Sequence, residues 1–357
     1  MARLPGVEAM TIEDVVSPVY LVGGSVRDKL LGTRPADYDY ATPMLPDDVE
    51  AAVRAAGIRP GLLGKRFGTI DFKLNGQHIE VTTFRQEQYG GTRRPEVQYV
   101  QSIEKDLARR DFTINAMAQR GDRIIDPFGG RADIEGQTIR AVGRPSERFS
   151  EDPLRMLRAA RFTGQLGFTI EPSTQKAIIK QAHKILSVSR ERWVQELDKL
   201  LVGEYVQGGI AALYSTDLIK YLLPELRLQK DYDQNSDWHE YTLDEHTART
   251  VTGVPAEPDL RWAAWLHDIG KPFVRAENKR GRSNYVHHEV IGAEIVQGIG
   301  RRLKWSNERT ERISQLILHH LEDDSPLRQA DNSSKRLTAE LPPSRKQSAP
   351  PQSARKS

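Results

Sequence analysis

Apolar and polar positions alternate in short runs over the first part of the chain, which predicts strands and helices of modest length. Residues 19–22 are apolar and favour a buried strand, which breaks at Gly23 and Gly24. Val26, Leu30 and Leu31 follow at helical spacing and mark the apolar side of a helix. The chain is therefore expected to turn from a strand into a helix at two adjacent glycines.

The next hundred residues continue with strand and helix patterns separated by turn residues. Residues 46–56 carry apolar side chains at helical spacing. Residues 69–84 predict a β-hairpin, because Asn75-Gly76 is a strong turn signal between β-branched and aromatic runs. Residues 85–96 are polar and contain glycine, which predicts a mobile loop, and residues 124–130 predict a strand and a turn.

From Ser150 onward the pattern is helical. Ser150 is a good N-cap, so we predict one helix over residues 151–162 with Pro153 in its first turn. Helical patterning then continues over residues 165–228. From Asp331 the chain consists mostly of Ser, Pro, Lys, Arg and Gln, which predicts a disordered basic tail over residues 331–357.

Length and composition limit the class of protein. A chain of 357 residues can form two or three domains with separate cores. It contains no cysteine, which excludes disulfides, thiolate nucleophiles and cysteine zinc sites and fits a reducing cytosol, so a cytoplasmic location is expected. We expect no membrane span, because no run of about 18 apolar residues exists, and no secretory signal over residues 1–18.

Positive charge is concentrated in the middle and at the end of the chain. The net charge is only +3, but residues 140–199 hold twelve Lys/Arg and seven Asp/Glu, and residues 331–357 hold six and two. A basic middle segment suits a polyanion such as RNA. An ordinary charged helical surface explains the same excess, and charge alone does not separate the two interpretations.

Two acids beside the glycine turn suggest a metal and nucleotide site. Asp37 and Asp39 are two residues apart, and such positions on a strand point to the same face. Close carboxylates repel each other unless a cation lies between them, and Mg²⁺ prefers oxygen ligands and phosphates. The two glycines and Arg27 offer backbone and guanidinium donors to phosphate oxygens. The alternative is a solvated acidic turn, which leaves the upstream turn unexplained.

A third carboxylate extends the candidate site. Glu80 lies on the second strand of the predicted hairpin. It is either a further ligand for the metal ions or a cross-strand partner of Lys73, and the sequence supports both interpretations equally.

Three motifs together resemble a known family. They are Gly-Gly-Ser-Val-Arg-Asp at residues 23–28, Asp-Tyr-Asp at 37–39 and Arg-Arg-Asp-Phe-Thr-Ile-Asn at 109–115. They resemble the head domain of tRNA nucleotidyltransferases (CCA-adding enzymes) and bacterial poly(A) polymerases, the class II branch of the polymerase β-like nucleotidyltransferases. The resemblance implies an α+β fold: a nucleotidyltransferase head with a mixed sheet and helices, an all-α neck and body, and a helical HD domain. We expect these domains over residues 1–145, 146–235 and 236–330, followed by the tail.

The resemblance also implies roles for the motif residues. Asp37 and Asp39 would be the catalytic acids and would hold two Mg²⁺ ions. Arg110 would contact the triphosphate and Asp111 the sugar, and in the resembling enzymes a flexible loop at residues 85–96 helps to switch nucleotide specificity. The nucleotide-binding residues of the head would be Gly23, Gly24, Arg27, Asp28, Arg110 and Asp111.

The helix after Ser150 carries a candidate base-reading pair. Asp152 and Arg155 are at i and i+3, within mutual reach. A carboxylate only accepts and a guanidinium only donates, so the pair complements the amino group and ring acceptor of cytosine and adenine but not uracil or guanine. A mispaired buried polar group costs about 1–3 kcal/mol. A surface ion pair is the alternative; the resemblance favours base recognition, with Arg158 and Arg161 supporting the base site and the phosphates.

Histidines cluster in the last third of the chain. Leu-His-Asp-Ile-Gly-Lys at residues 266–271 resembles the HD phosphohydrolase domain, which some CCA-adding enzymes carry. A divalent transition metal suits such a set of imidazoles and carboxylates. No final aspartate of the usual HD set is evident in the sequence, so a degenerate helical domain is the alternative. By the resemblance the ligands would be His246, His267, Asp268 and His288, with His319 or His320 as a fifth.

The sequence therefore predicts an enzyme, a tRNA nucleotidyltransferase that adds CCA from CTP and ATP to the tRNA 3′ end and releases pyrophosphate. Addition of CC only, of A only, or of poly(A) uses the same motifs and stays open. A phosphohydrolase acting on RNA ends through the HD domain is the alternative from another class, and an RNA-binding protein with an inactive head is a second. The sequence does not indicate an oligomeric state.

Overall fold

A computed structural model of the chain describes residues 10–35, 37–88, 96–235 and 240–335. The chain divides into two compact units, with the boundary in sequence between Leu222 and Leu223. The first unit is α+β and the second is mainly helical, as expected. The predicted head and nearly all of the predicted neck and body fall within the first unit.

The centre of the first unit is a mixed sheet of six strands in the order β3-β4-β2-β1-β7-β8. Two short strand pairs, β5 with β6 and β9 with β10, lie outside it. The strands of this unit are β1 Tyr20–Val22, β2 Tyr38–Thr42, β3 Thr69–Leu74, β4 Gln77–Thr83, β5 Arg85–Gln88, β6 Glu96–Tyr99, β7 Ala118–Arg120, β8 Arg123–Ile125, β9 Thr138–Ile139 and β10 Thr169–Ile170.

Two helices predicted for the head are present, α2 Gly24–Leu30 and α3 Pro46–Ala55. Of the three apolar residues expected on one side of α2, Val26 is buried, Leu30 is exposed and Leu31 is partly buried. The helices are α1 Ile12–Val15, α2 Gly24–Leu30, α3 Pro46–Ala55, α4 Ile103–Ala108, α5 Gly130–Glu135, α6 Pro145–Glu151, α7 Leu154–Leu166, α8 Pro172–Gln181, α9 Arg190–Leu201, α10 Val206–Ser215 and α11 Ile219–Leu222.

The predicted hairpin is confirmed. β3 and β4 are antiparallel, and Asn75 and Gly76 both have positive φ, 50° and 80°, which the two-residue turn requires. The prediction of a mobile loop over residues 85–96 is wrong at both ends, because β5 and β6 pair there in an antiparallel ladder. Residues 89–95, the middle of that predicted loop, lie outside the described residues.

Apolar packing holds the sheet in place beneath the candidate site. Val49 and Val53 of α3 are fully buried against Ile70 of β3 and Val81 of β4. Burying a side chain of this size stabilises the fold by roughly 1.5–3 kcal/mol. β2 and β4 are therefore held as a rigid base for the acids that they carry.

The single helix predicted over residues 151–162 is in fact two helices. α6 ends at Glu151 and α7 begins at Leu154, while Asp152 is extended with φ −137° and ψ 100°. Pro153 explains the break, because the residue before a proline is driven away from the helical region. Asp152, rather than Ser150, supplies a side-chain acceptor at the start of α7, since its carboxylate accepts a hydrogen bond of 3.1 Å from the backbone N–H of Leu154.

The second unit is a set of helices with one short strand pair. Trp262 and Trp265 of its second helix are fully buried in its core. Among the described residues, no helix combines the length and apolar character needed to cross a bilayer. The elements are α12 Leu243–Gly253, α13 Pro258–Leu266, α14 Lys271–Val274, α15 His288–Leu303, α16 Asn307–Leu318 and α17 Arg328–Ser333, with β11 Ala276–Glu277 and β12 Ser283–Asn284.

The predicted disordered tail does not begin at Asp331. Residues 328–333 form α17, and Asp331 is only 3% exposed. Leu327 and Ala330 anchor this helix in the core, and the bare Cα of Gly253 on α12 admits Ala330 at close range. Two apolar residues beside a polar stretch are too few to distinguish this helix from a polar tail by composition. Residues 336–357, the rest of the predicted tail, lie outside the described residues.

Candidate functional site

A polar cleft of about 580 Å³ in the first unit brings the head motifs together with the neck helices. One wall is formed by the glycine turn, by β2 and by the segment after α4. The facing wall is formed by α7 and α9. The predicted site residues that line it are Gly24, Arg27, Asp39, Arg110, Asp111, Asp152, Arg155, Arg158 and Arg161.

The acids lie at the start of β2. Asp37 is exposed just before the strand, and Asp39 is half-buried and lines the cleft. Burial raises the pKa of Asp39, and the charges of Asp37 and Asp28 raise it further against the lowering effect of Arg110. A cation bound at these carboxylates would relieve this repulsion.

Glu80 lies beside Asp39 in the sheet. The parallel register of β2 and β4 places the two residues opposite each other, and β3 places Asp71 on the other side of Glu80. Burial and the charge of Asp39 raise the pKa of Glu80. The cross-strand pairing of Glu80 with Lys73 is wrong, since Lys73 lies opposite His78. Glu80 therefore lies between two other acids, Asp39 and Asp71, rather than opposite a lysine.

The glycine turn lies directly beneath Arg110. Gly23 has φ +66°, and a Cβ on it would lie 2.6 Å from Nη1 of Arg110. Arg110 is held by the buried Asp106, at 3.2 Å, while its own buried Nε has no hydrogen-bond partner. A guanidinium with a free donor above a glycine turn suits a phosphate.

Arg27 is partly occupied by protein acceptors. Its Nε and Nη2 donate to Asp28, at 2.9 and 2.6 Å, and its Nη1 donates to the side chain of Asn115 at 2.7 Å. Three of its five N–H donors are used in this way. Asp28 therefore orients Arg27 towards the cleft, and the other two donors remain for a ligand.

Asp111 is the most strongly paired acid of the cleft. It accepts from Arg158 at 2.7 and 2.6 Å, from Asn115 at 3.1 Å and from the backbone of Phe112 at 2.8 Å. Burial raises the pKa of Asp111, but Arg158 and these hydrogen bonds outweigh burial and hold the pKa far below its usual range. Arg158 thus joins the 109–115 motif to α7.

Arg161 lies behind Arg158 and shares its second partner. Glu196 of α9 is 3.1 Å from Nε of Arg161 and 3.6 Å from Nη1 of Arg158. Burial and the charge of Arg158 lower the pKa of Arg161 to about 10. Both guanidinium groups also contact the ring of Phe162, which holds the two arginines side by side.

The predicted base-reading pair has other partners in the cleft. Asp152 pairs with Arg192 of α9 at 2.8 Å. Arg155 is 8% exposed and donates to Glu151 at 2.8 Å and to the backbone carbonyl of Arg109 at 2.7 Å. The helix break at Pro153 explains the difference, because Asp152 and Arg155 do not share a regular helical turn. Both residues nevertheless line the same cleft.

Sequence reasoning missed four cleft residues whose side chains contact predicted site residues, and Asn115 among them lies at the end of a quoted motif. Phe162 closes the predicted helix, and Arg192 and Glu196 lie at i and i+4 on α9. That spacing on a basic helix was an available signal, but which cleft α9 faces depends on the packing of α9 against α7. The missed residues are Asn115, Phe162, Arg192 and Glu196.

A second site lies wholly within the second unit. Nε2 of His246 is 3.3 Å from Asp268 and 3.1 Å from Asp331, and Nε2 of His267 is 3.2 and 3.6 Å from the same two carboxylates. Asp331 is the final aspartate that the sequence analysis did not find. Two imidazoles and two carboxylates thus converge on one buried point, as a metal centre requires.

The outer nitrogens of these histidines are fixed by neighbouring groups. Nδ1 of His267, His288 and His320 donates to the backbone carbonyl three residues earlier, at 2.8, 2.6 and 2.7 Å. Nδ1 of His246 contacts the hydroxyl of Ser334 at 3.0 Å. A histidine held through Nδ1 presents the Nε2 lone pair, which is the usual arrangement of a metal ligand.

Three side chains converge on Oδ2 of the buried Asp268: Nε2 of His246, Nε2 of His267 and Nζ of Lys271 lie 3.3, 3.2 and 2.6 Å from it. Burial lowers the pKa of His267, but Asp268 and Asp331 outweigh burial and raise it to about 9. The two carboxylates therefore attract positive charge to this point, and a divalent cation fits the donors present.

A second group of ligands adjoins the first. His288 contacts the other oxygen of Asp268 at 3.2 Å and Nε2 of His320 at 3.3 Å. Burial and nearby His267 lower the pKa of His320 to about 4, so its imidazole is neutral near pH 7. Of the two histidines considered as a fifth ligand, His320 is therefore the one in the site, because His319 is exposed and pairs with Glu322 at 2.6 Å.

Comparison with protein families finds three matches along the chain. A poly A polymerase head domain matches residues 19–140, and a probable RNA and SrmB-binding site of polymerase A matches residues 167–229. An HD domain matches residues 244–347, beyond the boundary at residue 330 that the sequence predicted.

Curated relatives are CCA-adding enzymes. The enzyme of Bacillus subtilis is 46% identical over 254 residues, which is 70% of this chain and 60% of that protein. The enzyme of Geobacillus stearothermophilus is 40% identical over 299 residues, which is 81% of this chain and 69% of that protein. The chain thus spans between about three fifths and two thirds of the length of these relatives.

A solved structure shares the architecture. The Bacillus stearothermophilus CCA-adding enzyme in complex with CTP superposes with a TM-score of 0.58 and 32% identity, covering 88% of this chain and 76% of that one. The predicted fold class is confirmed by this match together with the observed sheet and the head and HD domains.

Proposed function

The chain belongs to the family of CCA-adding enzymes, and from that premise we propose that it adds C, C and A from CTP and ATP to the 3′ end of tRNA without a nucleic-acid template, releasing pyrophosphate. The observation that carries the proposal is the cleft in which a half-buried acid of β2 faces the arginines of α7. Addition of CC only, of A only or of poly(A) remains the alternative within the same chemistry. From a tRNA substrate we also infer a cytoplasmic location.

Asp37 and Asp39 would hold two Mg²⁺ ions, with Glu80 as a candidate third carboxylate. The raised pKa of Asp39 supports this assignment, because a half-buried acid beside other negative charges favours a bound cation. When bound, such ions lower the pKa of the attacking 3′-hydroxyl and neutralise charge on the leaving pyrophosphate. The chain itself contributes the positions of the carboxylates at the start of β2.

The turn at Gly23 and Gly24, together with Arg27 and Arg110, would bind the triphosphate. Its support is the close approach at Gly23 and the unpartnered Nε of Arg110. Asp28 would orient Arg27, and Asp111 would orient Arg158 at the sugar side of the cleft. All these groups are positioned before a ligand arrives, so little ordering is required when the nucleotide binds.

Asp152 and Arg155 would read the base, supported by Arg158 and Arg161. A carboxylate beside a guanidinium offers an acceptor and a donor to cytosine and adenine and mismatches uracil and guanine. In the structure Asp152 is paired with Arg192 and Arg155 with Glu151. A base would compete for these partners, so base selection would include the cost of exchanging them.

One gel tests this proposal. Purified protein receives Mg²⁺ and tRNA lacking its last three nucleotides, with each nucleoside triphosphate alone and with CTP plus ATP. We expect two additions with CTP and a third only when ATP is also present. Stopping at two would indicate a CC-adding enzyme, a long ladder with ATP alone a poly(A) polymerase, and no extension would refute the proposed transfer.

Two matched variants locate the chemistry. Asp39→Ala should abolish addition while tRNA binding, measured by filter retention, stays within about twofold. Asp71→Asn is the control, because Asp71 lies in the same row of acids but pairs with His78 and is outside the cleft. Retained addition by Asp39→Ala, or equal loss in both variants, would contradict the assignment of Asp39 as a metal ligand.

A second activity is proposed for the HD domain: hydrolysis of phosphate esters at RNA ends with a divalent transition metal. Its support is the convergence of His246, His267, Asp268 and Asp331 on one buried point. A pocket of about 300 Å³ opens beside it, lined in part by Lys271, which is 2.6 Å from Asp268.

Metal binding and hydrolysis are measured separately. After removal of metal with EDTA, addition of Mn²⁺ or Ni²⁺ should raise the melting temperature of the wild type, since a ligand at 100 times its Kd stabilises the folded state by about 2.7 kcal/mol. His267→Ala should remove this response, whereas His319→Ala, an exposed control, should keep it. RNA with a 2′,3′-cyclic phosphate end then tests hydrolysis; binding without turnover would leave a metal-stabilised structural domain.

A further inference from the structure

The hydroxyl of Ser25 links the helix after the glycine turn to the strand that carries the acids. It donates to the backbone carbonyl of Asp37 at 3.0 Å and accepts from the backbone N–H of Asp39 at 3.1 Å. Ser25 is only 2% exposed, so it is out of reach of a substrate in the cleft. Its single proton is used in the first bond and an acceptor lone pair in the second.

The end of β1 explains why these two backbone groups are available. β1 pairs with β2 at Tyr20 and Leu21, opposite Ala41 and Tyr40. Beyond this point the chain turns at Gly23 into α2. The stretch from Asp37 to Asp39 therefore has β4 on one side but lies past the part of β2 that pairs with β1 on the other. Ser25 thus takes the place of a missing strand neighbour, and without it two backbone groups would lose a protein partner.

This link joins two parts of the proposed machinery that are otherwise separate. Ser25 is in the first turn of α2, immediately after the glycines that would bind the triphosphate. Asp37 and Asp39 would hold the metal ions that act on the same triphosphate. A displacement of about 1 Å between reacting groups can cost on the order of 10²-fold in rate.

Resting on the proposed nucleotidyl transfer, we propose that Ser25 is a positioning residue that fixes the metal-binding acids relative to the triphosphate-binding turn. It acts through the backbone of Asp37 and Asp39 and does not itself contact substrate or metal. Its removal should therefore affect the rate and the response to Mg²⁺ more than the binding of CTP.

The test compares three variants with the wild type. Ser25→Ala removes the hydroxyl, Ser25→Thr keeps it, and Thr33→Val removes a hydroxyl at the far end of the same helix, where Thr33 bonds the carbonyl of Asp28 at 3.0 Å. Each is assayed for kcat, for KM of CTP and for the Mg²⁺ concentration at half-maximal rate. Hydrogen exchange of the Asp39 amide reports the link without requiring activity.

For Ser25→Ala we expect kcat to fall about 10- to 100-fold, the half-maximal Mg²⁺ concentration to rise severalfold, and KM for CTP to stay within about twofold. The Asp39 amide should exchange at least about tenfold faster, because its acceptor is gone. Ser25→Thr and Thr33→Val should stay close to the wild type in kcat and exchange.

Two results would overturn the inference. One is an unchanged Asp39 exchange rate in Ser25→Ala. The other is a loss of activity that falls entirely on KM for CTP or is equalled by Thr33→Val. If the wild type adds no nucleotide at all, the proposed function fails, while the exchange measurement still decides whether Ser25 holds the acid strand.

Discussion

The ion pair between Asp111 and Arg158 should be a major stabilising contact of the first unit. Asp111 is 8% exposed and accepts four hydrogen bonds, two of them from Arg158. In Asp111→Ala the guanidinium of Arg158 stays in the cleft wall without this partner. Removing one member of a buried ion pair typically costs about 3–5 kcal/mol, a large fraction of the 5–15 kcal/mol by which a domain is usually stable.

A double-mutant cycle separates this pair from general disruption. If Asp111 and Arg158 stabilise each other, Asp111→Ala combined with Arg158→Ala should cost about 2 kcal/mol less than the sum of the single changes, within the 0.5–3 kcal/mol usual for contacting residues. Glu147→Ala is the control: its pair with Arg144 is exposed, at 3.2 Å, and should be worth about 0–1 kcal/mol.

Urea unfolding followed by ¹⁹F NMR gives the free energy for the first unit alone. Trp193 is the one tryptophan among residues 1–222 and is fully buried, so its 5-fluorotryptophan signal reports that unit without contribution from the other tryptophans. Additive single changes, or a loss in Asp111→Ala no larger than that in Glu147→Ala, would refute the reasoning.

Three further predictions follow from single contacts. Gly23→Ala should reduce nucleotide addition at least about 10²-fold in a primer-extension assay, because the new Cβ would lie 2.6 Å from Arg110 at positive φ; normal addition would contradict the close approach. Glu171 caps α8 by accepting hydrogen bonds from Ser173 and Thr174. Burial raises the pKa of Glu171, but these hydrogen bonds lower it to about 2. The free energy of folding that the cap contributes is therefore present above pH 4.5 and is lost as pH falls from 4.5 to 2. Glu171→Ala should therefore cost about 1 kcal/mol at pH 7, and its melting temperature should match the wild type near pH 2; a gap that persists there would be evidence against the cap. Ser334→Ala should weaken Mn²⁺ binding about 10- to 100-fold by calorimetry, since Ser334 orients Nδ1 of His246. Ser333→Ala is the control: Ser333 is the neighbouring residue at the end of α17, outside the site, so this variant should bind Mn²⁺ as the wild type does.

The two candidate sites differed in how far the sequence could define them. In the head, the motifs at residues 23–28, 37–39 and 109–115 meet at the cleft, as expected. In the second unit the sequence predicted His246, His267, Asp268 and His288 correctly as neighbours but left the set without Asp331. Asp331 lies in a stretch whose composition is that of a polar tail, and only the packing of Leu327 and Ala330 makes it a helix.

The sequence does not determine which charged side chains pair with each other. Asp152 was expected beside Arg155 but pairs with Arg192, forty residues later. Glu80 was given Lys73 as an alternative partner but lies between Asp39 and Asp71. Opposite charges are abundant in this chain, so many pairings satisfy the sequence, and the register of strands or the docking of helices selects one of them.

The sequence by itself determined the features that depend on neighbouring residues. Asn75-Gly76 determined the hairpin, and Gly23 the turn beneath Arg110, because each needs a backbone conformation that few residues adopt. Only the tertiary structure decided which distant groups share a site: Asp331 with His246, Ser25 with Asp39, and Arg192 with Asp152. The physical reason is that local conformation is fixed by steric limits within a few residues, whereas these contacts are fixed by the packing of whole strands and helices against each other.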